Sequence, residues 1–272
     1  MKSQFISEFT AAFAAEIRKL TKLKTHIAFL AITLPLMLII MGIEVAMSHN
    51  APGGSAQVIT PVNADVTWKI FHFFSQYLTP LIAALVVASQ VGKEFEWKTF
   101  HQIQLKGQTP LVYVTSKLTA LYTMVTGVYV VQVVVVFLFY IVRALIENQS
   151  IDIPVGQLAT DTLFYFTALP IALMLAVLTA SASIGIVLSL VHLLVLEMIF
   201  FPLVWQLMSA LGHPNVSTVL SYSPMKLPVQ IVEHSEGFLE TFALVSAELT
   251  FIALMGYLAY IVLNRRQIGL IR

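Results

Sequence analysis

Polar residues crowd into one stretch of a mostly apolar chain, Gly92-Lys93-Glu94-Phe95-Glu96-Trp97-Lys98-Thr99-Phe100-His101-Gln102-Ile103-Gln104-Leu105-Lys106-Gly107-Gln108-Thr109-Pro110. The stretch holds two acids, three lysines and the large apolar residues Trp97, Phe100 and Ile103. A chain that only has to sit in a bilayer does not need such a segment. We therefore expect it to dock onto a soluble partner that supplies energy.

The composition on either side of this stretch is that of a membrane protein. Of the 272 residues, 58% are hydrophobic and only 11% are charged, whereas a soluble globular chain has about 25% charged residues. The apolar runs are too long and too uniform for the alternating strands of a transmembrane β-barrel. They have the length of transmembrane helices, which need about 20 apolar residues to cross the hydrocarbon core.

Six transmembrane spans are predicted. They cover about residues 26–47, 70–92, 118–142, 162–180, 186–210 and 241–263. The run from Thr162 to Leu196 has no charge and is too long for one ordinary span, so we divide it at Ser181-Ala182-Ser183-Ile184-Gly185. The predicted fold class is an all-α polytopic membrane protein with one transmembrane domain over 25–272.

Lysine and arginine positions predict the orientation of the chain. Cytoplasmic segments of membrane proteins carry an excess of these residues. With a cytoplasmic N-terminus, the six-span arrangement places 12 of the 15 lysines and arginines on the cytoplasmic side, including those of segment 93–110. Leaving 162–196 undivided places only 10 there. Both termini are therefore predicted to be cytoplasmic.

Residues 1–24 predict an amphipathic helix that lies in the membrane interface. Phe5, Phe9, Phe13 and Ile17 recur every four residues, and basic residues crowd the C-terminal end. Cations at that end suit both the helix dipole and anionic lipid headgroups. The alternative is a soluble amphipathic helix packed on a partner.

Several kinds of chemistry are excluded or disfavoured by the sequence. The chain has no cysteine, and its seven histidines are scattered singly, so a metal site is not expected. It has no Gly-x-x-x-x-Gly-Lys-Ser/Thr motif to cradle a phosphate, which is strong evidence against ATP hydrolysis by this chain alone. No nucleophile turn of the Gly-x-Ser-x-Gly type occurs either. We expect neither a catalytic set nor a cofactor in the chain.

Three acids fall in or near the predicted spans: Glu44, Glu197 and Glu248. Ionisable groups inside a membrane are costly and are candidates for function. Glu44 lies near the end of the first span, where a packing role is favoured. For Glu197 and Glu248, packing between helices and lining a translocation path are equally open interpretations.

The polar stretch itself has the pattern of a docking helix. A short helix over Glu94–Leu105 would place Trp97 and Phe100 along one side with charges at the rim, as in amphipathic helices that lie in a partner's groove. A solvated loop whose aromatic residues rest on lipid headgroups fits the periodicity equally well.

The layout resembles the permease subunits of type-2 ATP-binding-cassette exporters. The similarity rests on the stretch Glu16-Ile17-Arg18-Lys19-Leu20 before six spans, on a Glu-Phe-Glu-x-x-Thr segment after the second span, and on a proline followed by Ser116-Lys117-Leu118. Glycine is typical of the family where this chain has Lys98. The resemblance covers the whole chain, although its motifs are short.

The resemblance implies a partner and a role for the polar stretch. In that family the segment corresponding to 93–110 forms a coupling helix that sits in a cleft of a separate ATPase subunit, which binds ATP and magnesium. By position, the coupling role would pass to Glu94, Glu96, Trp97, Thr99 and Phe100. The family also implies a second permease copy or a homologous permease.

We therefore expect an export permease in the plasma membrane, in contact with membrane lipids and not with nucleic acid. An amphipathic peptide such as a bacteriocin is the favoured cargo, with drugs and lipids among the alternatives. The Pro-broken loop 212–240 either dips into the membrane or is a plain loop. The main rival is a stand-alone secondary transporter that uses Glu197 and Glu248 as proton or sodium sites.

Overall fold

The structure is a computed structural model that describes residues 2–22, 24–49, 64–105, 107–147, 155–212 and 238–270. Every regular element among these residues is a helix. The α-helices are α1 (Lys2–Lys22), α2 (Thr25–His49), α3 (Ala64–Phe73), α4 (Thr79–Glu96), α5 (Thr99–Leu105), α6 (Pro110–Glu147), α7 (Val155–Thr179), α8 (Ala182–Leu190), α9 (Phe201–Ala210) and α10 (Phe238–Leu270). Two π-helical segments, Phe74–Leu78 and Val191–Phe200, join α3 to α4 and α8 to α9.

Six helical stretches within the described residues are long and apolar enough to cross a membrane, as expected of a multi-pass membrane protein. These candidate spans, numbered 1 to 6, are His26–Ile43, Ile70–Glu96, Pro110–Ile146, Asp161–Thr179, Ala182–Ala210 and Phe242–Arg266. The predicted all-α class and the predicted number of spans are thereby confirmed.

The division of the long apolar run is also confirmed. Helix α7 ends at Thr179, Ala180 has a φ of 53°, and Ser181 is extended before α8 begins at Ala182. The left-handed conformation of Ala180 is unfavourable for a residue with a Cβ atom. Two residues therefore reverse the chain between spans 4 and 5.

The helices extend beyond several predicted boundaries. Span 2 continues four residues past Gly92 to Glu96, and span 3 begins at Pro110 instead of near Leu118. The predicted loops also lose residues, since α3 begins at Ala64 and α6 continues to Glu147. Hydropathy made these spans too short because it counts only apolar residues. At the end of span 2 and the start of span 3, the polar residues Glu94 and Lys117 lie within helices and pair with each other.

Each π-helical segment comes directly before a helix that has proline in its first turn, Pro80 in α4 and Pro202 in α9. Proline has no N–H to donate to the preceding turn, and its ring crowds the carbonyl four residues back. A wider π turn is one way in which a helix accommodates such a residue. Spans 2 and 5 therefore continue through their prolines without ending.

Spans 2 and 4 bury the largest share of their residues, and spans 1, 5 and 6 bury the smallest. Helix α1 packs along α6. The end of the bundle where α1 lies, here called the α1 end, also holds the last turns of spans 2, 4 and 6 and the first turns of spans 3 and 5. The opposite end, where spans 2 and 4 begin, is called the far end.

Candidate functional site

The polar stretch forms two helices separated by a sharp turn. Helix α4 ends at Glu96, Trp97 and Lys98 make the turn, and α5 begins at Thr99. Lys98 has a φ of 57°, the left-handed conformation that favours glycine. Of the two interpretations left open by the sequence, the single helix over Glu94–Leu105 is not formed, because the turn redirects the chain after Glu96, and residues 99–105 form a helix and not a loop.

Glu94 is buried at the α1 end and binds three side chains. The Nζ atom of Lys117 donates to both carboxylate oxygens at 2.7 Å, and the hydroxyl of Tyr113 donates to Oε2 at 2.5 Å. Lys19 from α1 donates to Oε1. Lys117 also contacts Glu16 Oε2 at 3.0 Å. We call Glu16, Lys19, Glu94, Tyr113 and Lys117 the Glu94 cluster.

The Glu94 cluster joins three elements through charges removed from solvent. Lys117 is 2% exposed and Glu94 is 4% exposed. A buried charge is tolerated when it is paired and hydrogen-bonded, and it is costly when its partner is removed. The cluster therefore fixes α1 and the start of span 3 against the end of span 2, and Glu94 is occupied within the chain.

Lys19 lies at the edge of the cluster. Burial, and after it the positive charge of Lys117, lower the pKa of Lys19 to about 8. Lys19 thus holds its proton less firmly than a lysine in water does.

Phe100 fixes α5 to the same region. It is 1% exposed and packs against Phe95 at 4.7 Å and Tyr113 at 5.0 Å between ring centroids. The Tyr113 ring thereby contacts Phe100 while its hydroxyl binds Glu94. The short helix α5 is held by a contact that a seven-residue helix does not provide for itself.

Glu96 contacts the turn between spans 4 and 5. Its Oε1 accepts from the backbone N–H of Ala182 at 2.7 Å and from the Ser181 hydroxyl at 3.0 Å. A carboxylate at the first turn of a helix satisfies free N–H groups and complements the helix dipole. Glu96 thus performs for α8 the role that a capping side chain usually performs within its own helix.

The remaining predicted coupling residues differ in exposure. Trp97 is 70% exposed and Thr99 is half-buried. Leu105, at the end of α5, is 88% exposed. The accessible surface of the stretch therefore combines these apolar side chains with exposed polar ones, including Lys93, Glu96, Lys98 and Gln102. Glu94 and Glu96, which the resemblance assigns to coupling with a partner, are both hydrogen-bonded within the chain.

Two of the acids predicted within the spans are buried. Glu248 is 1% exposed and accepts a hydrogen bond from the hydroxyl of Thr167 in span 4. Glu197 is 7% exposed, with its Oε1 3.8 Å from Nε2 of His192. No contact joins Glu197 to Glu248 among those described. The side chain of Glu44 and loop residues 213–237 lie outside the described residues.

A buried histidine–aspartate pair occupies the far end. His72 Nδ1 lies 2.5 Å from Asp161 Oδ2, joining the starts of spans 2 and 4. The ring of His72 stacks on Trp68. Sequence reasoning missed this pair because its members are 89 residues apart and each was read alone. The Glu94 cluster had a visible signal, a lysine immediately before an apolar run, but the sequence does not reveal its partner.

Comparison with known proteins adds no identification: no family model matches the chain, and no curated protein matches it. Among the described residues, no group of three His, Cys, Asp or Glu side chains is arranged to hold a metal ion.

Proposed function

We propose that the chain is the permease subunit of an ATP-binding-cassette exporter, in which a separate ATPase subunit docks on α5 and the turn before it. The observation that carries this proposal is the way in which α5 is packed against the bundle. Phe100 packs α5 onto the bundle, while Trp97 in the turn before α5 and Leu105 at its last residue are 70% and 88% exposed. A rigidly held helix with exposed large apolar residues suits docking into a groove of a partner.

The turn at Lys98 adds support. Its φ of 57° is the conformation that favours glycine, and glycine is typical at this position of the exporter family that the sequence resembles. The backbone conformation of Lys98 is thus the one expected of the glycine that is typical of the family, even though the residue differs.

In the proposed assembly both termini and α5 face the cytoplasm, and α1 lies in the membrane interface with its basic end toward lipid headgroups. The excess of lysine and arginine on that side supports this orientation. The complex contains two permeases in the plasma membrane. Binding of ATP and magnesium by the ATPase subunits moves α5, and the spans release an amphipathic peptide, drug or lipid-like cargo outward.

The docking surface is apolar and basic. Lys93 and Lys98 are exposed beside Trp97, whereas Glu94 is buried. Glu96 is exposed, but its Oε1 atom accepts hydrogen bonds from Ser181 and Ala182. The cleft of the partner should therefore offer an apolar pocket with acidic groups at its rim, because complementary charge guides association.

Co-purification tests the proposal. A tagged chain expressed with its native operon should capture an ATPase subunit, and Trp97→Ala should weaken binding about thirtyfold, as expected for a buried interface anchor worth about 2 kcal/mol. Trp205→Ala is the matched control, since Trp205 is 42% exposed on span 5 and away from α5. A wild-type chain that captures no ATPase contradicts the proposal.

A second candidate is a proton- or sodium-coupled secondary transporter. It is favoured by the burial of Glu248 and by its Oε2 atom, which has no hydrogen-bond partner among the described residues. Transport by the purified chain in liposomes without an ATPase, abolished by Glu248→Gln or Glu197→Gln, would support this candidate over the exporter.

A further inference from the structure

The turn between spans 4 and 5 is held on both sides by charged side chains from other helices. Glu96 from span 2 binds the N–H of Ala182 at the start of span 5. Arg266 from span 6 donates from Nη2 to the carbonyl of Leu178 near the end of span 4, at 2.9 Å. We call these two contacts, with the Ser181 hydroxyl, the Glu96–Arg266 clasp.

In both contacts the charge of the side chain is opposite to the partial charge of the helix end that it binds. An acid lies at the N-terminus of α8 and a cation lies at the C-terminus of α7, where free N–H and C=O groups leave partial charges. Between them, Ala180 has the left-handed backbone conformation that its Cβ disfavours. The surrounding contacts therefore stabilise a turn that its own residues do not favour.

Span 2 approaches this turn unusually closely. A Cβ atom at Gly92 would clash with the backbone of Ser181 and Ala182, so only glycine allows this distance. Glu96 lies one helical turn after Gly92 on the same helix. The end of span 2 and the start of span 5 are therefore held together by backbone packing as well as by a hydrogen bond.

The clasp is continuous with the docking surface. Glu96 directly precedes the exposed Trp97. The guanidinium of Arg266 lies 5.5 Å from the ring centroid of Phe95, which packs on Phe100 of α5. The two acids of the segment thus have separate connections: Glu94 binds α1 and span 3, and Glu96 binds the turn between spans 4 and 5.

We propose that the Glu96–Arg266 clasp transmits movement of α5 to spans 4 and 5, with Glu96 as the positioning residue and the N-terminus of span 5 as its target. This inference rests on the proposed function, because an ATPase must move α5. Rotation of α4 at Glu96 pulls on Ala182 directly and on the Leu178 carbonyl through Phe95 and Arg266.

The first arm of the test needs no partner. Hydrogen–deuterium exchange of the purified chain in nanodiscs reports the amides of residues 182–184. Loss of a capping side chain corresponds to about 1 kcal/mol, so Glu96→Ala should speed their exchange about fivefold. Ser181→Ala should have a smaller effect, because Glu96 still binds the Ala182 N–H. Unchanged exchange in Glu96→Ala overturns the clasp.

The second arm measures transmission. The chain has no cysteine, so Ser183→Cys introduces a single exposed thiol next to the clasp. In the complex with the ATPase, adding a non-hydrolysable ATP analogue should change the rate at which maleimide modifies this thiol. Glu96→Ala and Arg266→Ala should each abolish that change while the ATPase stays bound. Arg265→Ala, which removes a neighbouring charge outside the clasp, should retain it.

The outcomes separate the two proposals. A wild-type chain that captures no ATPase contradicts the proposed function and with it the transmission, whereas the exchange arm still decides whether the clasp exists. A bound ATPase with a nucleotide response that survives Glu96→Ala overturns the transmission alone. Loss of the response with the ATPase still bound supports it.

Discussion

The two ends of the bundle hold buried polar groups in different ways. At the α1 end, the Glu94 cluster combines two acids and two lysines from three elements, and Glu94 alone receives hydrogen bonds from three side chains. At the far end, the described residues place a single basic side chain, His72, against Asp161, with Gln76 and Tyr129 as further hydrogen-bonding neighbours. Nearby polar atoms, Trp68 Nε1, His72 Nε2 and Ser75 Oγ, have no hydrogen-bond partner among the described residues.

Because of this difference, we expect the two ends to differ in rigidity. A fully satisfied buried network is rigid, whereas unpaired buried polar atoms reduce stability. We therefore infer that the α1 end keeps its geometry when a partner pushes on it, and that the far end opens at lower cost. The exporter that we propose would use this distribution, because movement from the partner would be transmitted through the rigid end and expressed at the other.

The largest expected effect comes from removing the central acid of the α1 end. Among the described residues, Glu94→Ala leaves the buried Lys117 with Glu16 as its one acidic partner, and loss of one partner of a buried ion pair costs about 3–5 kcal/mol. The midpoint of thermal unfolding in detergent should fall accordingly. A Glu94→Leu/Lys117→Met double variant removes both charges and should recover much of the loss.

Glu8→Gln is the control for this measurement. Glu8 lies on α1 and accepts a hydrogen bond from Gln4 on the same helix, so its replacement should have little effect on unfolding. If Glu94→Ala unfolds at the same temperature as Glu8→Gln, the Glu94 cluster is not a rigid joint and the contrast between the two ends disappears.

Most of the fold could be predicted from the sequence, but the difference in polar contacts between the two ends of the bundle could not. Six spans and the break near Ser181 follow from apolar length and charge spacing, which act locally. The burial of Glu94 and Phe100 could not be predicted from the sequence. An amphipathic pattern has the same period whether its apolar side faces a partner or the next helix of the same chain. Trp97 and Phe100, grouped together by periodicity, are separated by the turn at Lys98 into an exposed and a buried residue.

A smaller effect is expected at the far end. Asp161→Asn keeps an oxygen that accepts from His72 Nδ1–H, and the variant should lose about 1 kcal/mol of stability. Asp161→Leu leaves the imidazole without a partner and should lose about 2–3 kcal/mol. Thermal unfolding in the same detergent compares both variants with Glu94→Ala. If Asp161→Asn is as costly as Glu94→Ala, the pair behaves as an essential ion pair and the two ends are equally constrained.

The smallest effect is expected from Lys19, at the half-buried edge of the Glu94 cluster. The folded pKa of about 8 lies below the usual value of 10.5, so between these pH values the unfolded chain holds a proton that the folded chain has released. The contribution of Lys19 to stability is therefore lowest below pH 8 and rises as the pH increases toward 10.5.

Lys19→Met, which keeps the apolar stem and removes the charge, should consequently change stability by less than about 1 kcal/mol at pH 7. Unfolding curves of the variant and the wild type from pH 7 to pH 10 give the difference in stability that is due to Lys19. The stability of the wild type should increase relative to that of the variant across this range. A constant difference would mean that Lys19 keeps its proton throughout. In that case Glu94 would hold Lys19 as firmly as it holds Lys117, and the rigid part of the α1 end would extend into helix α1 itself.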